Sequence, residues 1–239
     1  MVLAAGLGQR MLPLTRKIPK PLIPVDGKPL IDHALARVNE AGIKKAVVNV
    51  HYLADILEKH LSSIEKPEII LSDEREQLLE TAGGIKKALP LLGEEPFLIF
   101  NSDSLWVENY NVEGEIGNMQ KLVNAWSPGN MDVLLLLVAK EDAFGFDGPG
   151  DYFQDHNGLL TRRSYATHAP LVYAGVAIAK PELFKNLRRG SVSLNEVFDK
   201  VQSKRRLSGV QLQGQWIHVG TPEAISPAEE LMRSLRYQM

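Results

Sequence analysis

No cysteine occurs in the 239-residue chain, which excludes disulfides and thiolate metal centres and fits a reducing compartment such as the cytoplasm. No apolar run approaches the roughly 20 residues that a membrane-spanning helix needs, and no signal-peptide pattern precedes the first apolar stretch. Neither charge sign dominates. Twenty-seven Lys and Arg face 29 Asp and Glu, for a formal net charge of −2, which argues against bulk nucleic-acid binding. Repeats, low-complexity tracts and linker-like segments are absent as well. With 44% hydrophobic residues, the chain is long enough to bury an ample core. These absences leave a soluble cytoplasmic protein, without nucleic-acid or membrane partners, as the expectation.

What charge there is, the first thirty residues concentrate. Arg10, Arg16, Lys17, Lys20 and Lys28 stand there against the single acid Asp26. The apolar stretch Leu3-Ala4-Ala5 runs into Gly6 and Gly8, then Arg10, and Lys20 follows between Pro19 and Pro21. Glycines after a strand let backbone N–H groups approach a phosphate closely, because no Cβ intervenes. A solvated basic loop would account for the charges alone. Two glycines, an arginine and a proline-flanked lysine within one loop point instead to a polyphosphate site. The dinucleotide fingerprint G-x-G-x-x-G is not completed, because Met11 stands where its third glycine belongs.

Further along, helical and strand periodicities alternate. Apolar stripes predict helices after Pro29, over 53–63 and from Ile85, each between short apolar strands at 45–51, 68–71 and 97–101. That alternation implies an α/β fold with βαβ units and a mainly parallel, Rossmann-like mixed sheet flanked by helices. Ligands of such sheets sit beyond the carboxyl ends of strands, where Gly6 and Asp103 both fall. The second half reads as a helix at 114–126, a buried strand at 132–138 and a hairpin turning at Asn157-Gly158. A core strand over 171–178, short helices at 181–188 and 193–202, late strands up to Val219 and a helix opened by Thr221-Pro222 complete it. One domain is expected, with a nucleotide-binding half at 1–110 and a smaller acceptor-binding lobe at 111–239.

Gly6-Leu-Gly-Gln-Arg10, Pro13-Leu-Thr15, Pro19-Lys-Pro-Leu22 and Lys28-Pro29 together resemble the loop that marks the sugar-1-phosphate nucleotidyltransferases. The likeness continues at residues 78–84, 97–103 and 216–223. It implies a GT-A-like nucleotidyltransferase fold, and transfer of a nucleotidyl group from a nucleoside triphosphate to a sugar 1-phosphate with release of pyrophosphate. Val48-Asn-Val-His-Tyr-Leu-Ala-Asp55 and Leu79-Glu-Thr-Ala-Gly-Gly84 look most similar to the N-acetylmuramate-1-phosphate uridylyltransferases, which use UTP. The alternatives are the mannose-1-phosphate guanylyltransferases, which use GTP, and a non-catalytic nucleotide-sugar-binding protein.

The resemblance also assigns residues. Leu3, Ala4, Ala5, Gly6 and Gly8 form the nucleotide cradle, Arg10 holds the leaving pyrophosphate, and Lys20 holds the α-phosphate. Thr81, Gly83 and Gly84 belong to a second glycine-bearing loop where a nucleobase docks, unless the glycine pair only opens a helix. Glu76 is one polar group that could read the base edge. Asp103 is either a cap on the next turn or, as the resemblance implies, a ligand of Mg²⁺. Arg163 and Gly175 keep the interval at which relatives hold the sugar phosphate with a lysine in Glu-Lys-Pro, but this chain has Arg162-Arg163-Ser164 there. His218 replaces the aspartate that is usually the second metal ligand, and is read as either a structural histidine or a ligand of that metal.

Overall fold

The computed structural model describes residues 1–108 and 116–236. Its centre is a nine-stranded mixed sheet. Seven strands lie in the order Leu160–Arg162, Tyr152–Gln154, Leu171–Ala179, Phe97–Asn101, Val2–Leu3, Lys45–Val50 and Glu68–Asp73, and Val133–Ala139 joins Leu171–Ala179 to Leu207–Gln211. Val2–Leu3 is parallel to both its neighbours, Lys45–Val50 and Phe97–Asn101, so strand order reverses around it. The Gly6 loop therefore leaves the sheet at its topological switch point.

Period-2 alternation builds two cores at once. In Val133–Ala139, the side chains of Leu134, Leu136 and Val138 enter one hydrophobic cluster, while Val133, Leu135 and Leu137 enter the other. A strand buried on both faces reads as a continuous apolar run, which is why its sequence shows no alternation. The first cluster is covered by the helices Leu30–Glu40 and Ala54–Leu61, through Ile31, Ala34, Leu35, Val38, Leu57 and Leu61. The second is covered by Glu80–Leu92 and Leu194–Ser203, through Ile85, Ala88, Val197, Phe198 and Val201. Both clusters draw residues from either side of the expected division at 110/111, which itself lies outside the described residues.

A third cluster serves the loop. Met11, Ile23 and Val25 pack with Leu30, Leu105, Val219 and Met232 of the C-terminal helix Ile225–Arg236. Met11 is fully buried, so the residue in the place of the missing glycine anchors the loop to the body.

Several element bounds differ from expectation. The helix expected from Ile85 begins at Glu80, because Val192 O accepts from Ala82 N (2.8 Å) and Gly83 N (3.1 Å) and satisfies its first turn. The helix expected at 114–126 is Asn118–Ala125, and 114 and 115 lie outside the described residues. That expected at 181–188 is the single turn Glu182–Lys185.

Where three strands meet at one edge of the sheet, Asp132 receives Lys180 Nζ at 2.8 Å and Arg206 Nε at 2.9 Å. Burial pushes this carboxyl up, but hydrogen bonds and charge from Lys180 and Arg206 outweigh it and leave it below its ordinary value. A depressed acid stabilises the fold above the unfolded-state value near 3.9, and that contribution fades as pH falls through the folded-state value. Asp132→Asn is therefore expected to cost about 1–3 kcal/mol in urea denaturation at pH 7. The gap from wild type should shrink below about pH 4. A gap independent of pH would show that the charge is immaterial there.

Candidate active site

The Gly6 loop, Lys20 and Asp103 meet at one cavity of about 330 Å³, which Leu3, Ala4, Ala5, Gly6, Gly8 and Thr81 also line. Gly8 adopts φ +62°, a left-handed conformation that a side chain disfavours, and a Cβ there would come 2.8 Å from the Thr15 methyl. Thr15 Oγ1 donates to Gly8 O at 3.0 Å, and Tyr52 Oη donates to Thr15 O at 2.7 Å, so the turn is held from two sides. Gly6 differs. No atom lies within 4 Å of where its Cβ would stand, so space is kept open beside its backbone.

Lys20 Nζ donates to Asp103 Oδ2 across the cavity. The lysine begins a short 3₁₀ turn, Lys20–Leu22, in which Pro19 before it and Pro21 after it fix two φ angles and restrict where the ammonium points. Asp103 stands just past the Phe97–Asn101 strand, and its carboxyl is directed at Lys20. Burial pushes the Asp103 carboxyl up, but the charge and hydrogen bond of Lys20 pull it down to a net position below its ordinary value. Asp103 is thus a carboxylate at neutral pH.

His218 follows the strand Gly214–Ile217, which is antiparallel to Leu105–Glu108 with Ile217 opposite Leu105. This register brings residue 218 beside the Asp103 turn. The imidazole is half-buried, lies edge-on to Phe146 and tilted against Trp216, and makes no hydrogen bond among the described residues. Burial lowers its proton affinity more than Asp103 raises it, and Lys20 and Arg10 add smaller lowering effects, so the ring is neutral at pH 7. Arg10 itself is exposed on the turn Gln9–Met11, outside the cavity wall.

Gly83 and Gly84 are in the helix, where they permit close packing. A Cβ on Gly83 would collide with Gly190 O, and one on Gly84 would come 2.6 Å from Glu74 Oε1 and 3.0 Å from Asn49 Nδ2. Thr81 Oγ1 accepts from Leu194 N at 2.8 Å. Glu76 is exposed and stands apart from the cavity. Gly175 sits where the Leu171–Ala179 strand bulges, at φ +82°, and a Cβ there would press on Asn101 Nδ2 at 3.0 Å. Arg163 lines a different cavity, of about 490 Å³.

Asn49, Asn101 and Ser102 also line the loop cavity and were not expected there. Asn49 Oδ1 accepts from Ala4 N at 2.7 Å, and its Nδ2 donates to Glu74 Oε1 at 2.8 Å. Glu74 is fully buried, and burial raises its carboxyl above the ordinary value. The signal available for Asn49 was one polar side chain within the otherwise apolar end of Lys45–Val50.

Residues 1–144 match the nucleotidyl transferase family. An N-acetylmuramate alpha-1-phosphate uridylyltransferase of Caulobacter vibrioides is 46% identical over 96% of this chain and 94% of its own length. The chain belongs to the nucleotidyl transferase family. A second uridylyltransferase of that name, from Neisseria meningitidis, is 36% identical over 97% of this chain and 96% of its own. A UDP-glucose pyrophosphorylase structure complexed with UDP-glucose shares the fold with a TM-score of 0.78, at 18% identity, over 98% of this chain and 97% of that one. The mainly parallel α/β architecture is thus that of nucleotidyltransferases, and a non-enzymatic reading loses its basis in the family.

The contrast between two glycines gives a direct test of the cradle. Gly6→Ala should keep its stability within about 0.5 kcal/mol of wild type. Its KM for the nucleoside triphosphate should rise about tenfold or more, because the new methyl fills the open space beside the loop. Gly8→Ala should instead lose about 1–3 kcal/mol of stability from backbone strain. Calorimetry with initial-rate kinetics separates the two. An unchanged KM for Gly6→Ala would remove the phosphate from the face of residue 6.

Proposed function

We propose that this enzyme transfers the uridylyl group of UTP to N-acetylmuramate 1-phosphate, releasing pyrophosphate and forming the UDP sugar. The observation that carries the reading is the convergence of the open Gly6 backbone, the Lys20 ammonium and the Asp103 carboxylate on one cavity at the strand switch. The choice of uracil and of muramate is supported by the near full-length likeness to the two uridylyltransferases.

An oxygen of the sugar phosphate attacks the α-phosphorus in line. One P–O bond forms there as the bond to the bridging α–β oxygen breaks, and the electron pair leaves with pyrophosphate. A phosphate monoester with a second pKa near about 6 is already ionised at neutral pH, so no general base is required. Catalysis rests on positioning and charge neutralisation. Backbone N–H groups of the loop cradle the phosphates, Lys20 faces the α-phosphate, and Arg10 closes from the exposed rim onto the pyrophosphate. Asn49, tied to Ala4 N, holds the start of the loop in place. Thr81 lies where the nucleoside would extend.

The donor set also fits Mg²⁺. Asp103 offers a hard, ionised oxygen, and no group of three metal-binding acidic, histidine or cysteine side chains occurs among the described residues. Such a composition suits an ion that keeps several waters and bridges substrate phosphates. Asp103 would hold it, and the bound ion would neutralise phosphate charge. The neutral imidazole of His218 is a poorer partner for so hard a cation and falls outside its proposed ligands.

Pyrophosphate release, measured over UTP, GTP, CTP and dTTP with N-acetylmuramate, N-acetylglucosamine, glucose and mannose 1-phosphates, tests the reading. UTP with N-acetylmuramate 1-phosphate should give the highest kcat/KM, and Lys20→Ala should lower that turnover about 10²–10³-fold in a folded protein. A preference for GTP with mannose 1-phosphate would overturn the substrate assignment. Near-normal turnover in Lys20→Ala would remove the lysine from the reaction.

A further inference from the structure

The cavity that holds Arg163 adjoins the loop cavity along two borders. On one side, Thr81 of the loop cavity accepts from Leu194 N, and the next residue, Asn195, lines the second cavity. On the other side, the Gly175 bulge lies against Asn101 of the loop cavity, and Tyr173, two residues earlier in the same strand, lines the second. A substrate with its phosphate among the loop residues can thus extend across Gly175 towards Tyr173 and Asn195.

Two guanidiniums line this second space, and they are not equivalent. Arg162 Nη2 is paired with Asp199 Oδ2 at 3.0 Å on the helix Leu194–Ser203. Arg163 makes no ion pair among the described residues. Its Nε donates to Gly150 O at 2.8 Å and its Nη1 to Ser164 O at 3.1 Å, which fixes the guanidinium plane. Nη2 has no partner among the described residues. The cavity's own acid is committed elsewhere, because Asp151 Oδ2 accepts from Tyr173 N at 2.8 Å. Burial raises the Asp151 carboxyl, while its backbone hydrogen bond and both arginines pull it down. Tyr173 Oη is buried and finds no hydrogen-bond partner. With less than 1 Å² of its surface open, this hydroxyl belongs to the packed interior against Phe198, and burial pushes it well above its ordinary range. An oriented guanidinium with its Nη2 unused, lining the cavity, fits a carboxylate, which binds arginine through charge-assisted hydrogen bonds.

We propose that Arg163 receives the carboxylate of a sugar-acid acceptor whose 1-phosphate enters the loop cavity, and so selects a carboxylate-bearing sugar over its neutral counterpart. This deepens the uridylyl-transfer reading and rests on it. N-acetylmuramate differs from N-acetylglucosamine by a lactyl ether that carries that carboxylate. On this assignment Arg163 reads the substituent and leaves the 1-phosphate to Lys20 and the loop.

The test compares kcat/KM for N-acetylmuramate 1-phosphate and N-acetylglucosamine 1-phosphate, both with UTP, in wild type, Arg163→Ala and Arg163→Lys. Arg163→Ala should lose about 10- to 100-fold with the muramate and stay within about threefold of wild type with the glucosamine, the size of a charge-assisted hydrogen bond. Arg163→Lys keeps a cation but loses the oriented guanidinium, and should show a smaller loss of the same selectivity. It decides the matter if Arg163→Ala does not fold. Equal losses with both acceptors, or none with either, would overturn the assignment while leaving uridylyl transfer intact. Wild-type protein that does not use the muramate would overturn both.

Discussion

The ion pair between Lys20 and Asp103 joins residues 83 positions apart, and the rest of the site is arranged around it. Neither partner could reach the other without the parallel sheet. Val2–Leu3 and Phe97–Asn101 run side by side, so the loop that leaves the first and the turn that leaves the second emerge together. The prolines beside Lys20 limit the directions open to its ammonium. On the proposed reading the pair would supply both signs that a phosphate reaction needs, a cation for the transferring group and an ionised oxygen for a hard metal. In a partly enclosed space these charges act more strongly than they would in water.

The apolar framework keeps that geometry rigid. The sheet is buried on both faces by helices, and Met11, Ile23 and Val25 fasten the loop to the C-terminal helix. A buried polar chain adds to this, running from Glu74 through Asn49 to the backbone of Ala4. Gly84 belongs to the same device, since any larger residue would push on Glu74 and Asn49. Gly84 thus lets a helix approach the residues that hold the Gly6 loop.

Much of this was legible in the sequence. Alternating periodicities carried the α/β class, and the Gly6–Lys20 spacing carried the cavity, because chain-local chemistry determines both. Asp103 was legible as a strand-exit acid, but its pairing with Lys20 was not, since that depends on which strands lie adjacent. The role of Asn49 was hidden for the same reason, as its partners come from two other strands. Gly83 and Gly84 looked like loop residues because the carbonyl that satisfies the helix start, that of Val192, is remote in sequence. Arg163 kept the spacing of a phosphate-binding residue, yet the fold places it across the Gly175 bulge in a neighbouring cavity.

The central claim is that Lys20 and Asp103 work as one unit on the transferring phosphate. A double-mutant cycle on kcat/KM, with Lys20→Ala, Asp103→Asn and the double variant at saturating Mg²⁺, measures this directly. Groups that act together lose their effects non-additively, so the double variant should be about as slow as the worse single one. Losses that multiply across the two sites, in variants that remain folded, would mean that the two side chains act independently and would contradict the account.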